Sequence, residues 1–236
     1  MRKNRLARLG VITGLRAEAR IATAAAEKLP EERRPLVLCA GAGAARDGGR
    51  RLAAAGAGAL LSFGMAGGLD ATLRPGTLVV AEAVIAPDGR RFAVDAAWRE
   101  RLSALAGGAC PPVVAAIAGS ARAVTSTADR RALFEASGAV AVDMESHGVA
   151  AAAAEAGLPF LAVRAVADPA GRAVPPAALA GLTPDGRMRM LPVLARVLLR
   201  PWELPTLIRL AGDSGLALAA LRRVAALDPA GFAFFA

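Results

Sequence analysis

Val140-Ala141-Val142-Asp143-Met144-Glu145-Ser146 and, about twenty residues on, Val163-Arg164-Ala165-Val166-Ala167-Asp168 place Glu145 and Asp168 at the ends of apolar segments. Gly138 to Val142 reads as a buried strand and His147 to Ala156 as an alanine-rich helix, so Glu145 stands where strand passes into helix. Phe160 to Ala167 reads as a second apolar strand, halted by Pro169 directly after Asp168. Parallel sheets present ligands beyond their strand ends, which places both acids at a cleft.

Working outward, further strands are expected at Leu9 to Ile12, Leu36 to Ala40, Ala59 to Phe63, Thr77 to Ala86 and Val113 to Ala118. Helices are expected at Ala17 to Lys28, Ala44 to Ala55, Ala96 to Leu105, Ala128 to Ala136, Ser146 to Ala156 and in several segments after Met188. Alternation of apolar strands with alanine-rich helices argues for an α/β sandwich. With 236 residues, 55% of them hydrophobic, the chain can bury one sizeable core, and no long linker divides it. One domain over 1–236 is expected, with 187–236 as an apolar, basic helical extension. The proline-rich connector from Pro169 to Pro184 is expected to act as a mobile flap.

The two acids suit different tasks. A carboxylate that accepts two hydrogen bonds from a vicinal diol needs a fixed, ionised, bidentate geometry, which Glu145 could supply at a helix start. An acid that protonates a leaving group must keep its proton until the transition state, and partial burial of Asp168 against apolar neighbours raises its pKa in that direction. The plainer alternative is that Glu145 charges a helix N-terminus and Asp168 caps a helix or turns the chain. On spacing alone the plainer alternative leads for each acid.

Val-Asp-Met-Glu-Ser-His-Gly-Val-Ala at 142–150, Val-Arg-Ala-Val-Ala-Asp at 163–168 and Phe63-Gly64-Met65-Ala66-Gly67-Gly68-Leu69 shift that balance. In order and spacing they resemble the purine nucleoside phosphorylase and nucleosidase superfamily, above all the branch with methylthioadenosine/S-adenosylhomocysteine nucleosidases. Glu18 within Gly14-Leu15-Arg16-Ala17-Glu18-Ala19 and the Gly41-Ala42-Gly43 turn match as well. The resemblance implies a three-layer α/β/α sandwich around a central mixed, twisted sheet. It implies that Glu145 holds the ribose 2′ and 3′ hydroxyls, that Met144 packs on the sugar and that Asp168 is the general acid toward a purine ring nitrogen. Arg164 would orient the site and Glu18 would activate water. It also implies a homo-oligomer. Breaking an N-glycosidic bond makes the ribose cationic and the base anionic, and an anion near the sugar with a proton donor near the base answers both charges.

Two positions depart from the family pattern. Met65 stands where nucleosidases commonly carry a serine that supports the acid, and a thioether cannot donate a hydrogen bond. Val124 stands where an aromatic usually stacks on the base. Downstream, Asp168-Pro169-Ala170, Val174-Pro175-Pro176-Ala177-Ala178-Leu179, Pro184-Asp185-Gly186-Arg187 and Arg200-Pro201 to Leu210 resemble the hopanoid-associated phosphorylases, assigned to removing adenine from adenosylhopane. That branch implies a large hydrocarbon at the ribose 5′ carbon.

The second substrate is open. The Gly41-Ala42-Gly43-Ala44-Ala45-Arg46 turn, entering a helix after a strand, can bind an anion through its N–H groups, and Arg46 beside Gly43 argues for phosphate as co-substrate. Glu18 argues for water. Gly43, Arg46, Gly64 and Met65 are the candidates for the phosphate or water site. A structural glycine turn is the alternative; a dinucleotide fingerprint is unlike this loop, since Arg46 fills its third glycine position. No other cofactor and no metal cluster is indicated, and His147 reads as a satisfied helix histidine.

The net charge of +9 lies at the ends: residues 1–10 carry four unopposed basic residues, residues 187–223 carry seven arginines against Glu203 and Asp213, and the rest is neutral. In the basic C-terminal segment Leu204, Leu207, Ile208 and Ala211 share a helical face, continued by Leu216, Ala220 and Leu221. Such a segment fits an anionic membrane surface or a lipid-like substrate channel; core helices with a dimer contact are the alternative. The absence of tyrosine argues against nucleic acid. Cys39 and Cys110 are too few for a disulfide framework and are expected reduced. The basic residues of Met1 to Arg8 resemble the start of a signal peptide, but the apolar stretch Leu9 to Leu15 is short and reads as a strand. The eighteen uncharged residues Leu52 to Leu69 hold five glycines and read as helix, strand and loop. A cytoplasmic protein with peripheral contact to the inner membrane face is expected, and the apolar end Gly231 to Ala236 is expected to pack or associate. A non-catalytic nucleoside-binding protein is the rival from another class.

Overall fold

Alternate side chains of the apolar runs point to opposite faces, and the chain uses both faces to build two core layers. The computed structural model describes residues 8–108, 111–181, 183, 186, 190–230, 232 and 234. The strands are β1 (Arg8–Thr13), β2 (Leu36–Cys39), β3 (Ala57–Gly68), β4 (Leu78–Ile85), β5 (Arg91–Ala93), β6 (Val113–Gly119), β7 (Ala141–Asp143) and β8 (Phe160–Asp168). The helices are α1 (Arg16–Ala25), α2 (Ala45–Ala54), α3 (Ala96–Ala106), α4 (Thr127–Ser137), α5 (Ser146–Ala156), α6 (Pro176–Ala180), α7 (Met190–Leu199) and α8 (Leu204–Leu227).

The sheet runs β2-β1-β3-β7-β6-β4-β5, and β8 pairs with both β3 and β4. Pairings β1 with β2, β1 with β3, β3 with β8, β4 with β6 and β6 with β7 are parallel; β3 with β7, β4 with β5 and β4 with β8 are antiparallel. The fold is therefore mixed α/β, and β3, β8, β4, β6 and β7 close a ring of pairings. On one face Leu9, Val11, Leu61 and Val163 meet Ile21 of α1, Trp98 of α3 and Leu221 of α8. On the other, Ile12, Leu60 and Val166 meet Leu52 of α2 and Val149 of α5. Helices thus cover both faces of a mixed sheet, as the α/β sandwich read from the alternation and the three layers implied by the resemblance require.

Two differences from the sequence reading have local causes. Strand β3 runs on through Gly64 to Gly68, because β8 supplies ladder partners as far as Gly67, although the glycines read as a loop. The short, charged β5 was not anticipated; it folds back on β4 through the positive-φ turn at Gly89. The proline-rich connector holds α6 and is tied at several points: Val174 N–H donates to the Thr125 carbonyl at 2.9 Å, Ala177 N–H to Glu203 Oε2 at 3.2 Å, and Arg172 pairs with Asp213. Readings of residues 1–7, Cys110, Pro184, Asp185, Arg187, Arg189, Gly231, Ala233, Phe235 and Ala236 lie outside the described residues. Within the apolar end, Phe232 is buried edge-on against Phe63 at 5.2 Å, and its carbonyl accepts from Trp98 Nε1 at 2.6 Å.

Helix α8 splits the apolar stripe read from the sequence. Ala217, Ala220, Leu221, Val224 and Ala225 are buried, whereas Leu204, Ile208 and Leu216 are exposed. Leu221→Ala is expected to cost about 2–5 kcal/mol and Ile208→Ser less than about 0.5 kcal/mol, because only the first opens a cavity; urea unfolding of the two variants measures the difference.

Candidate functional site

Leu161, Val163, Ala165 and Ala167 of β8 enter one core layer while Phe160, Ala162 and Val166 enter the other. Arg164 falls in the second series with no exposed surface, and a cation so placed must be paired. It is paired with Asp143 at the end of β7. Its Nη2 also donates to Ser62 Oγ of β3 at 2.7 Å and to Ser146 Oγ at 3.0 Å, and lies 3.8 Å from Glu145 Oε2. Asp143 in turn accepts the backbone N–H and the hydroxyl of Ser146, the first residue of α5. One buried guanidinium thus joins β3, β7, β8 and the start of α5.

Glu145 occupies the turn from β7 into α5. A Cβ on Gly14 would come within 2.6 Å of its Oε1, so the β1–α1 turn can close on the carboxylate only with glycine there. Glu18, in the first turn of α1, folds back over that turn: Oε2 accepts from Gly14 N–H at 3.0 Å and Leu15 N–H at 2.8 Å, and Oε1 from Met65 N–H at 2.8 Å. The Leu15 bond is half of a capping box. A Cβ on Gly64 would sit 2.7 Å from both Glu18 Oε2 and Arg164 Nη1. That bare backbone lets the acid and the guanidinium approach each other, and Nη1 is buried without a hydrogen-bond partner among the described residues.

Asp168 ends β8 and is ion-paired with Arg130 of α4. Arg130 is buried and also donates to the carbonyls of Val124 and Pro169, each at 3.0 Å. Glu18, Glu145 and Asp168 all line one cleft of about 260 Å³, together with Met65, Met144, Val124, Val174 and, from α8, Leu210 and Ser214. The two acids that open the sequence reading therefore face the same space.

Burial dominates the titration of all three. It raises Glu18 above its ordinary range, against the pull of Arg164 and three backbone N–H bonds. Glu145 is pushed up to about 8, first by burial, then by Asp143 and Glu18, with Arg164 opposing. Asp143, Glu145 and Glu18 share one guanidinium, and that crowding together with burial favours the protonated form of Glu145, against which a bound diol would have to work. Burial also raises Asp168, with Arg130 opposing. For Arg164 burial works against the charge, but Asp143, Glu145 and Glu18 outweigh it and hold the guanidinium above its ordinary value.

Gly43 and Arg46 are not brought to this cleft. They line a separate cavity with Asp88, Arg90 and His147, and Arg46 is bound to Glu155 on α5, its Nε donating at 2.8 Å. Packing of α2 against α5 supplies Arg46 with that partner in place of an anion. His147 is not the satisfied histidine expected: its Nδ1 is buried without a partner among the described residues. Sequence reasoning missed Arg130, Asp143 and Ser62. A lone charge inside each of two apolar strands was a usable signal for Asp143 with Arg164, whereas Arg130, in a run of charges on a helix, reads as solvated.

A family model described as the phosphorylase superfamily matches residues 16–180. No match was found among curated proteins. Among solved structures the chain is similar to 5′-methylthioadenosine/S-adenosylhomocysteine nucleosidase from Helicobacter pylori with butyl-thio-DADMe-Immucillin-A (16% identity, TM-score 0.65, covering 92% of this chain and 97% of that one). It is also similar to S-adenosylhomocysteine nucleosidase from Streptococcus pyogenes in complex with 5-methylthiotubericidin (19% identity, TM-score 0.61, 71% and 86% covered). A futalosine hydrolase mutant of Helicobacter pylori shares the fold (17% identity, TM-score 0.60, 68% and 89% covered).

Two outcomes follow from the cluster. Arg164→Met leaves Asp143 buried and uncompensated and is expected to cost about 3–5 kcal/mol, read by chemical denaturation. Because the pKa of Glu145 in the fold is raised from 4.5 to about 8, its contribution to stability is full below about pH 4.5 and is lost as pH rises through about 8. Melting temperature should fall across that window in the unliganded protein, and Glu145→Gln should flatten the fall.

Proposed function

This chain belongs to the phosphorylase superfamily, and on that footing we propose that it hydrolyses the N-glycosidic bond of a 5′-substituted adenosine and releases adenine. The observation that carries the reading is the convergence of Glu18, Glu145 and Asp168 on one cleft. Asp168 donates its proton to a purine ring nitrogen as the bond from the ribose anomeric carbon to the base breaks, so the base leaves neutral. Water adds to that carbon and gives a proton to Glu18. Glu145 accepts hydrogen bonds from the ribose hydroxyls, and its charge, with that of Glu18, favours the cationic sugar. Met144 flanks the sugar. Arg164 holds the acids in register, and Arg130 holds Asp168 where Met65 cannot.

Water is favoured over phosphate by the use of the backbone donors. The N–H groups of Gly14, Leu15 and Met65 are the kind of cradle that binds phosphate oxygens, and the Glu18 carboxylate already occupies them. A phosphate would meet that anion at close range. The 5′ substituent we favour is the hydrocarbon of adenosylhopane: the resemblance to the hopanoid-associated phosphorylases supports it, as does a cleft whose walls include Met65, Val124, Val174 and Leu210. Methylthioadenosine or S-adenosylhomocysteine is the second reading, supported by the fold shared with those nucleosidases. A homo-oligomer in the cytoplasm, needing no cofactor, completes the proposal.

Incubation with adenosylhopane and with methylthioadenosine, with and without phosphate, tests it by chromatography of adenine and of the sugar. Free ribose product is expected in both conditions; a sugar phosphorylated at its anomeric carbon overturns the hydrolytic assignment. Asp168→Asn should lower turnover about 10²–10⁴-fold while leaving nucleoside binding measurable, and unchanged adenine release would remove Asp168 from the acid role. Since Glu145 must ionise to accept the diol and Asp168 must stay protonated, kcat/KM should trace a bell against pH.

A further inference from the structure

The five most exposed large apolar side chains among the described residues all lie between Leu191 of α7 and Ile208 of α8. Leu191, Leu198, Leu199, Trp202 and Ile208 are 64–83% exposed, and three of them fall within the five residues from Leu198 to Trp202. Soluble surfaces scatter such residues singly; a contiguous group marks something that covers it. Arg196, Arg200 and Arg209 are interleaved with them. The two acids nearby are consumed elsewhere: Glu203 is buried and receives Ala177 N–H and Arg200, and Asp213 is bound to Arg172. Arg196 and Arg209 have no ion pair among the described residues.

We propose that the α7–α8 turn docks on an anionic phospholipid surface, with Leu198, Leu199 and Trp202 entering the acyl boundary and the arginines meeting the headgroups. Charge selects this occupant over a second copy of the chain. A two-fold contact would set the same patch, whose free charges are all arginines, against itself, whereas each arginine near an anionic membrane is attracted to it. The segment from Pro201 to Leu227 is long and apolar enough to cross a membrane, but its second half is committed to the core through Leu221 and Val224, so the helix lies on the surface rather than through it. Leu210 and Ser214 of the same helix line the cleft, which docking would bring beside the bilayer. That last step rests on the glycosidic reading; the docking itself does not.

Flotation of the full chain with phosphatidylglycerol/phosphatidylcholine vesicles, and with phosphatidylcholine alone, reads binding without turnover. Retention on the anionic vesicles is expected, reduced roughly tenfold or more in Leu198→Ser/Leu199→Ser/Trp202→Ser and in Arg196→Gln/Arg209→Gln, with unchanged melting temperature in both. Absence of binding to anionic vesicles, or equal binding by wild type and both variants, overturns the proposal. So does light scattering that shows a dimer in the wild type and a monomer in the apolar variant without lipid, since the face then belongs to a second copy. Loss of adenine release with vesicle binding intact would sink only the glycosidic reading.

Discussion

The ion pair between Arg164 and Asp143 is the constraint on which the rest of this site depends. A guanidinium with no exposed surface in the middle of a strand is tolerable only when its charge is answered on the spot. Asp143, Ser62 and Ser146 answer it, and in doing so they fasten β3, β7 and β8 to the start of α5. Glu145 follows two residues after Asp143, and Glu18 approaches the same cation beside the bare backbone of Gly64. Three acids could not share this volume without that one base.

The arrangement separates two kinds of charge along a single cleft. Around Arg164 the carboxylates Asp143, Glu145 and Glu18 outnumber the cation, which under the proposed reaction would favour a sugar that becomes positive. Asp168 is half-buried in the same cleft and held by Arg130, which fixes its direction while desolvation raises its carboxyl above the ordinary range. Desolvation raises the carboxyl pKa at both places; Arg164 opposes it at Glu145 and Glu18, and Arg130, then Arg172, oppose it at Asp168. Glu18 adds a second consequence: a side chain of the protein fills the backbone donors at a helix start that could otherwise bind an anion.

Helix α8 connects this chemistry to the exterior. One half is indispensable to the core, pressed on β8, and the other half supplies a wall of the cleft and an apolar, cationic outer face. A single helix therefore contributes to the core, to the wall of the cleft and to an exposed apolar, cationic face.

Much of this was legible in the chain. The alternation of apolar runs with alanine-rich helices determined the layered α/β class, since period two and period 3.6 bury different faces. The positions of Glu145 and Asp168 at strand ends followed from where those runs stop, and the motif around Glu18 placed a third acid. What the tertiary structure alone decided is which charges meet. Arg130 and Asp168 lie thirty-eight residues apart and Arg46 and Glu155 more than a hundred, and no periodicity encodes such pairings. The outward turn of Leu198, Trp202 and Ile208 was equally hidden, because a helix shows its apolar stripe in sequence whether that stripe faces a core or faces outward; only the packing of neighbouring elements, which here ends at Ala217, chooses between them.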